Sequence, residues 1–422
     1  MGKINKSVCV IDHFEFFFVA KTLSKYFDKV YYCSDWLSGF PEIGAKLLGS
    51  GFEGVEKIDS IDDMQDEIDI FVFPDIYFTP MANRLKSEGK KVWGSGDMEM
   101  VERDRDYFME LVKEAGLPFP PTKLFDDIDK LFNYLDGVDE KVFIKLSEYR
   151  GLAETWKWID SRFNQSLRNK IEGRLGPLKN KVKYQVQSNI DTVIEWGKDR
   201  FMIGSKYPEQ CHFGFEQKGE TYFCKAVDNK ELPKEINDLD KKWEKVMADK
   251  NYTGFDSNEV RVTEKGEHYL IDPCTRCGFP SSACYMYNFT NWGEIIEKGL
   301  YEEKIVPIQT EHKYVAEIII RTCITDRWVP VYYDEKFEDN IMFTTCLKED
   351  GVVYRVPSNQ LYCDSMKVCS TVFGSNTLEG AIKGVTEVAD SIVSEGLEYA
   401  NNLEKSAEVI VKTLKEQFNY TF

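Results

Sequence analysis

The sequence lacks what would mark it for a nucleic acid, a membrane or the secretory route. Basic residues are in deficit, 54 Lys and Arg against 72 Asp and Glu, a formal net charge of −18. This balance excludes a nucleic-acid backbone or an anionic membrane as the main partner, while allowing a local basic pocket. Long apolar runs are missing. The most apolar stretch near the start, Phe14–Ala20, is far too short to span a bilayer. No signal-peptide pattern opens the chain, and Gly2 with Ser7 misses the myristoylation spacing. Histidine is scarce, with four residues. The eleven cysteines are an odd number without framework spacing, so they read as reduced thiols of a cytoplasmic protein. Cys274 and Cys277 form a Cys-x-x-Cys with Cys284 nearby, but no second pair or histidine pair accompanies them. Packing in a loop is therefore favoured over zinc. Tandem repeats and low-complexity tracts are absent.

What is present is globular: 42% hydrophobic and 30% charged residues over 422 positions, enough for two to four subdomains. Short strands at Lys6–Asp12, Lys29–Cys33, Ile68–Pro74 and Lys91–Gly94 alternate with helices over Phe18–Phe27 and Pro80–Glu88, which predicts a parallel α/β domain to about residue 100. Asp104–Ala115 reads as a helix stopped by Gly116 and prolines 118, 120 and 121. Strands follow at Lys141–Leu146, Lys183–Gln187, Thr192–Trp196, Arg200–Ser205 and Thr221–Val227, then a charged helical stretch over 229–250. Beyond Lys313 the pattern is β again, at Val315–Arg321, Trp328–Tyr332, Met342–Leu347, Val352–Val356 and Met366–Phe373. Thr377 then caps a long helical pattern filling most of 377–418. The expected class is α/β (α+β), divided into residues 1–100, 101–310 and 311–422.

The most informative stretch is Glu259–Pro280. Two β-patterned runs flank Lys265-Gly266, a hairpin signal. Folding about Gly266 brings Glu259 and Asp272 to similar heights on adjacent strands. Two adjacent carboxylates repel unless a cation lies between them, and Mg²⁺ accepts carboxylates together with nucleotide phosphates. Arg276 adds a fixed cation four residues beyond Asp272. Lys145 lies inside the apolar run Val142–Leu146, where its ammonium either meets a phosphate or points outward from an edge strand. Ser147–Thr155, with Gly151, offers a short phosphate loop. Phe14–Phe18 reads as packing, and the charges around Lys241–Lys245 and Asp126–Asp136 as solvated faces.

Taken in order, these parts resemble the ATP-grasp superfamily, and most closely phosphoribosylamine–glycine ligase. The resemblance rests on Trp93-Gly94-Ser95, Glu102-Arg103-Asp104-Arg105, Lys145, the hairpin acids, the run Arg276, Gly278, Pro280, and Asn376–Ala381. It implies an N-terminal parallel α/β domain, an ATP-grasp domain and a C-terminal mixed domain. It also implies ATP and Mg²⁺, with Glu259 and Asp272 as metal ligands and Lys145 and Arg105 on phosphate. Gln187, Ser188 and Asn189 would then meet adenine and Glu195 the ribose, and Arg276 and Asp272 would be catalytic. The implied reaction joins a small-molecule carboxylate, such as a glycine-like amino acid, to an amine through an acylphosphate, in a monomer or homodimer. The departures are specific. The family's glycine-rich ribose-phosphate loop is replaced by Ile11–Phe17, its second-metal asparagine by Cys274, and its late Gly-Gly-Arg turn by Tyr362–Asp364. Phosphoribosylamine is therefore not the expected acceptor. His13, Glu15, Asp75 and Tyr77 lie where the acceptor pocket would be, with local capping or packing as the alternative. The competing expectation is a degenerate ATP-grasp protein that binds nucleotide or a partner without ligase activity.

Overall fold

Alternating apolar strands and helices at the start of the chain build a parallel sheet with strand order Glu56–Ile58, Phe27–Ser34, Ile4–Asp12, Ile70–Val72, Lys91–Trp93. The computed structural model describes residues 2–34, 47–147, 155–357 and 366–422. The direction of winding reverses between Ile4–Asp12 and Ile70–Val72, so a crevice opens beyond the carboxyl ends of these two strands. The loops bearing Glu15 and Asp75 border it. The strand Glu56–Ile58 was not expected from its pattern, since only its last residue is buried. The first helix stops at Leu23, earlier than its apolar pattern suggests, because Phe27 already belongs to the next strand.

Asp104 accepts N–H bonds from Asp106 and Tyr107 and starts the helix Arg105–Glu114, which ends at Gly116 with φ 63°. A four-stranded antiparallel sheet follows in the order Thr122–Phe125, Tyr184–Ser188, Val142–Leu146, Thr155–Trp158. The helices Ile128–Leu135 and Asn164–Leu175 cover one face through Leu131, Phe132, Leu135 and Ile171.

The largest sheet runs His268–Cys274, Gly254–Thr263, Thr192–Met202, Gln210–Gln217, Thr221–Asp228, Tyr314–Thr322, Met366–Ser375, Ile341–Phe343, with Leu397–Glu398 also on Tyr314–Thr322. Strands from before and after residue 310 thus share one hydrogen-bonded surface. The two strands expected at Thr192–Trp196 and Arg200–Ser205 are a single one, because the polar residues between them are paired along its whole length with Gly254–Thr263. Met342–Leu347 is two short strands, Ile341–Phe343 and Cys346–Glu349, in different sheets. The long C-terminal helical pattern is also divided, into Leu378–Asp390 and Leu403–Phe418. Gly396, at φ 66°, lies in the break, and Val393 pairs with Tyr332 there. Thr377 caps the first of these helices through the Gly380 N–H at 3.1 Å. Gly94, at φ 86°, joins the N-terminal sheet to the largest one by donating to the Thr253 carbonyl at 2.9 Å. A Cβ there would lie 2.3 Å from the Phe73 oxygen.

Candidate functional site

The hairpin forms as its sequence predicts. Gly266 has φ 76° and donates to the Thr263 carbonyl, and the strands pair from Val262 with His268 to Val260 with Leu270. The register then shifts by one residue, leaving Ile271 as the extra residue of a β-bulge. Beyond the bulge Glu259 pairs with Asp272 and Ser257 with Cys274. Without the bulge Glu259 would face Ile271. Directly opposed residues share a face of the sheet, so both acids project the same way.

Three further elements supply charge to this face. Glu195, on the neighbouring strand, stands opposite Arg261 and accepts from its Nε at 2.6 Å. Lys218, in the turn after Gln210–Gln217, places its ammonium 2.5 Å from Glu259, 3.2 Å from Glu195 and 3.6 Å from Glu216. Burial and then the adjacent Glu195 raise the Glu259 carboxyl to about 7. Burial also opposes ionisation of Glu195. A hydrogen bond with Glu259, together with Lys218 and Arg261, outweighs it and brings Glu195 to about 2. Glu216, Lys218 and Arg261 were not identified from sequence. The only signal was the alternation of Phe213–Gln217, which does not tell a functional face from a packed one.

Arg276 lies just past the hairpin. Its Nε is 2.8 Å from the buried Glu102 and 3.8 Å from Asp75, and its Nη1 donates to the Cys277 carbonyl at 3.0 Å. The Cys277 N–H in turn donates to the Pro74 carbonyl at 2.8 Å. Arg276 therefore stands where the hairpin meets the crevice of the N-terminal sheet. Nη2 makes no hydrogen bond among the described residues.

On the small sheet, Lys145 and Phe143 are half-buried and alternate with the buried Val142, Ile144 and Leu146. Lys145 therefore faces away from the small core, opposite Gln185 on a central strand. Of its two expected settings, an outward edge position is excluded, because Val142–Leu146 is paired on both sides. Arg105 is 8% exposed, and its backbone N–H donates to the Ser147 carbonyl at 3.1 Å, tying its helix to the end of the Lys145 strand. Gln187 is buried, with Nε2 3.5 Å from the Thr122 hydroxyl. The Ser188 and Asn189 N–H groups donate to the carbonyls of Pro121 and Lys141. Those two N–H groups are thus engaged, and only carbonyls or side chains remain there for a base. The residues of the expected phosphate loop between Ser147 and Thr155, and Tyr362–Asp364, lie outside the described residues.

No cluster of three His, Cys, Asp or Glu side chains forms a ready-made metal cage among the described residues. Cys277 and Cys284 are buried, consistent with packing. Two carboxylates paired across a hairpin are the donor type that Mg²⁺ takes, since it is usually held by one or two carboxylates and substrate phosphates. No helix among the described residues is long and apolar enough to cross a membrane.

The parallel domain, the small antiparallel sheet and the large sheet with its acid-bearing hairpin together constitute the ATP-grasp fold. Phosphoribosylamine–glycine ligase from Thermotoga maritima is similar with a TM-score of 0.72 at 14% identity, covering 93% of this chain and 98% of that one. L-amino acid ligase from Bacillus licheniformis is similar at 0.61 and 13% identity, covering 95% and 100%. The biotin carboxylase domain of 2-oxoglutarate carboxylase from Hydrogenobacter thermophilus, a dimer in complex with MgADP, ADP and bicarbonate, is similar at 0.67 and 11% identity, covering 100% and 97%. No protein-family model and no curated protein sequence matches the chain.

Proposed function

We propose that the chain is an ATP-dependent carboxylate–amine ligase. The observation that carries this reading is the in-register pair Glu259 and Asp272 on one face of the large sheet. Similarity to ATP-grasp enzymes, one of them holding MgADP, supports it. In this reading residues 1–100, 101–310 and 311–422 are the N-terminal, ATP-grasp and C-terminal domains. Glu259 and Asp272 would hold Mg²⁺, which would supply positive charge to the nucleotide phosphates. Lys145 and Arg105 neutralise the remaining phosphate charge, Gln187, Ser188 and Asn189 border the base, and Glu195 accepts from the ribose hydroxyls.

The substrate carboxylate attacks the γ-phosphorus. A carboxylate O–P bond forms, the bond to the β-phosphate oxygen breaks, and ADP leaves. An amine then attacks the acyl carbon. A C–N bond forms, the C–O bond to phosphate breaks, and the amine gives up a proton. Arg276 holds the donor carboxylate through Nη2, because its other nitrogens are anchored by Glu102 and Cys277. Such chemistry needs positioning and charge neutralisation more than a protein nucleophile.

The second reading is a nucleotide- or partner-binding protein without ligase activity. The ion pairs of Lys218 with Glu195 and Glu259 favour it, since a lysine already neutralises one of the two hairpin acids. Calorimetry with Mg-ATP and ADP-release assays on wild type and Asp272→Asn separate the two. The ligase reading expects metal-dependent binding and turnover, both reduced at least a hundredfold in the variant. Equal ADP release by the variant would overturn the metal assignment, and no nucleotide binding by wild type would favour the second reading.

A further inference from the structure

The face of the large sheet turned away from the acids carries a cavity of its own. Side chains alternate along Thr192–Met202, so Ile194 and Trp196 lie on the face opposite to Glu195. Val262 pairs with Ile194 and His268 with Val262, which puts all four on that face. The helices Lys234–Met247 and Leu403–Phe418 cover it through Ile236 and Leu414, and a volume of about 300 Å³ lies between them and the sheet. That is the small end of the range for ligand sites and suits a single-ring molecule better than a nucleotide.

The wall is a continuous run of rings. Ring centroids are 6.1 Å apart for His268 and Trp196, 5.7 Å for Trp196 and Phe213, and 5.8 Å for Phe213 and Tyr420. Such a wall takes an aromatic body edge-on or stacked. Two opposite charges also line the cavity. Lys265 comes from the turn of the hairpin and Glu235 from the first turn of the helix Lys234–Met247. Both are exposed, and neither side chain makes a hydrogen bond or ion pair among the described residues. His268 adds an acceptor. Its Nδ1 donates to the Gly266 carbonyl at 3.0 Å, which leaves Nε2 to accept. Burial holds the imidazolium below its ordinary value, so the ring stays neutral.

We propose that this cavity is a ligand site for an aromatic amino acid, its ring against Trp196 and Phe213, its carboxylate on Lys265 and its ammonium between Glu235 and His268. A zwitterion answers both charges, whereas a simple amine or a simple acid would leave one of them without a partner. The sheet separates this site from Glu259 and Asp272, so the proposal does not rest on the ligase reading.

The test is calorimetric titration of the full chain with L-phenylalanine, L-tyrosine, L-tryptophan and L-alanine, and with phenethylamine and 3-phenylpropionate. L-Phenylalanine is expected to bind at least tenfold more tightly than L-alanine, through burial of its ring. It should bind about threefold more tightly than either analogue, the size of an exposed ion pair. Lys265→Met should weaken L-phenylalanine about threefold and leave phenethylamine unchanged. Glu235→Gln should weaken L-phenylalanine likewise and leave 3-phenylpropionate unchanged. Both substitutions are at exposed positions, which separates lost charge from lost fold. Binding should also alter the intrinsic tryptophan fluorescence, and Trp196→Phe should remove most of that change while keeping affinity within about threefold. Equal affinity of wild type and Lys265→Met for L-phenylalanine, tighter binding of phenethylamine, a full fluorescence change in Trp196→Phe, or no binding of any aromatic amino acid would overturn the proposal. Weakening by Arg276→Met without weakening by Lys265→Met would put the amino acid in the donor site of the proposed function, and would overturn it as well.

Discussion

At the scale of single residues, the face around Glu259 is a balance among Glu195, Glu216, Glu259, Lys218 and Arg261. Lys218 is 58% exposed and touches three of the acids, so solvent limits what each contact contributes. It also contacts Glu259, one of the two carboxylates that would hold a divalent cation in the proposed function. Lys218→Met should therefore tighten Mn²⁺ binding in the absence of nucleotide by about three- to tenfold, the size of an exposed ion pair. Titration followed by electron paramagnetic resonance would read this directly, and weaker binding would show that Lys218 does not compete with the metal. Glu259 and Asp272 were legible in the sequence because a two-strand hairpin is local and its pairing can be counted from the turn. Lys218 was not, because it arrives from a separate hairpin 41 residues away from Glu259.

At the scale of elements, the strand Thr192–Met202 divides its chemistry by alternation. Glu195 and Asp199 project to the acid-bearing face, where Asp199 accepts from the hydroxyls of Ser257, Ser281 and Tyr222. Lys198 and Arg200 project to the other face and meet Asp240 of the helix Lys234–Met247, with Arg200 bidentate at 2.8 and 2.7 Å. A cavity of about 300 Å³ on that face, lined by Ile194, Trp196 and Val262 with Leu414 and Tyr420, is thus separated from Glu195 by the sheet itself. Asp240→Ala would leave two buried cations without their partner and should cost about 3–5 kcal/mol, measured by chemical denaturation. A loss below about 1 kcal/mol would show that the triad does not anchor the helix. The solvated face of this helix was readable from Lys241, Lys242 and Lys245. The inward role of Asp240 was hidden, since an acid in a charged run looks like its neighbours until its partners are known.

At the scale of the whole molecule, the charge balance and the buried acids act in the same direction. Asp12 and Asp256 are both raised to about 7, with burial the leading cause. A carboxyl raised in the folded state binds more protons there than in the unfolded chain. Its contribution to stability is therefore fully present below the ordinary carboxylate value and is lost as pH rises toward 7. The net charge of −18 adds repulsion over the same interval. Stability should fall between pH 5 and pH 8, and Asp256→Asn should remove about 2 kcal/mol of that slope. Denaturant midpoints of both proteins at the two pH values test this, and parallel slopes would show that Asp256 does not titrate in that interval.

The sequence by itself determined the α/β class, the order of most elements, the hairpin and its two acids. These depend on periodicity, turn residues and contacts close along the chain, which local physics enforces. Only the tertiary structure decided the rest. The bulge at Ile271 selects Asp272 as the partner of Glu259, since one extra residue changes which side chains are opposed. The union of strands on both sides of residue 310 into one sheet, and the place of Lys218 among the acids, both join distant segments. Such encounters follow from how sheets pair and twist as a whole, and no local pattern in the chain encodes them.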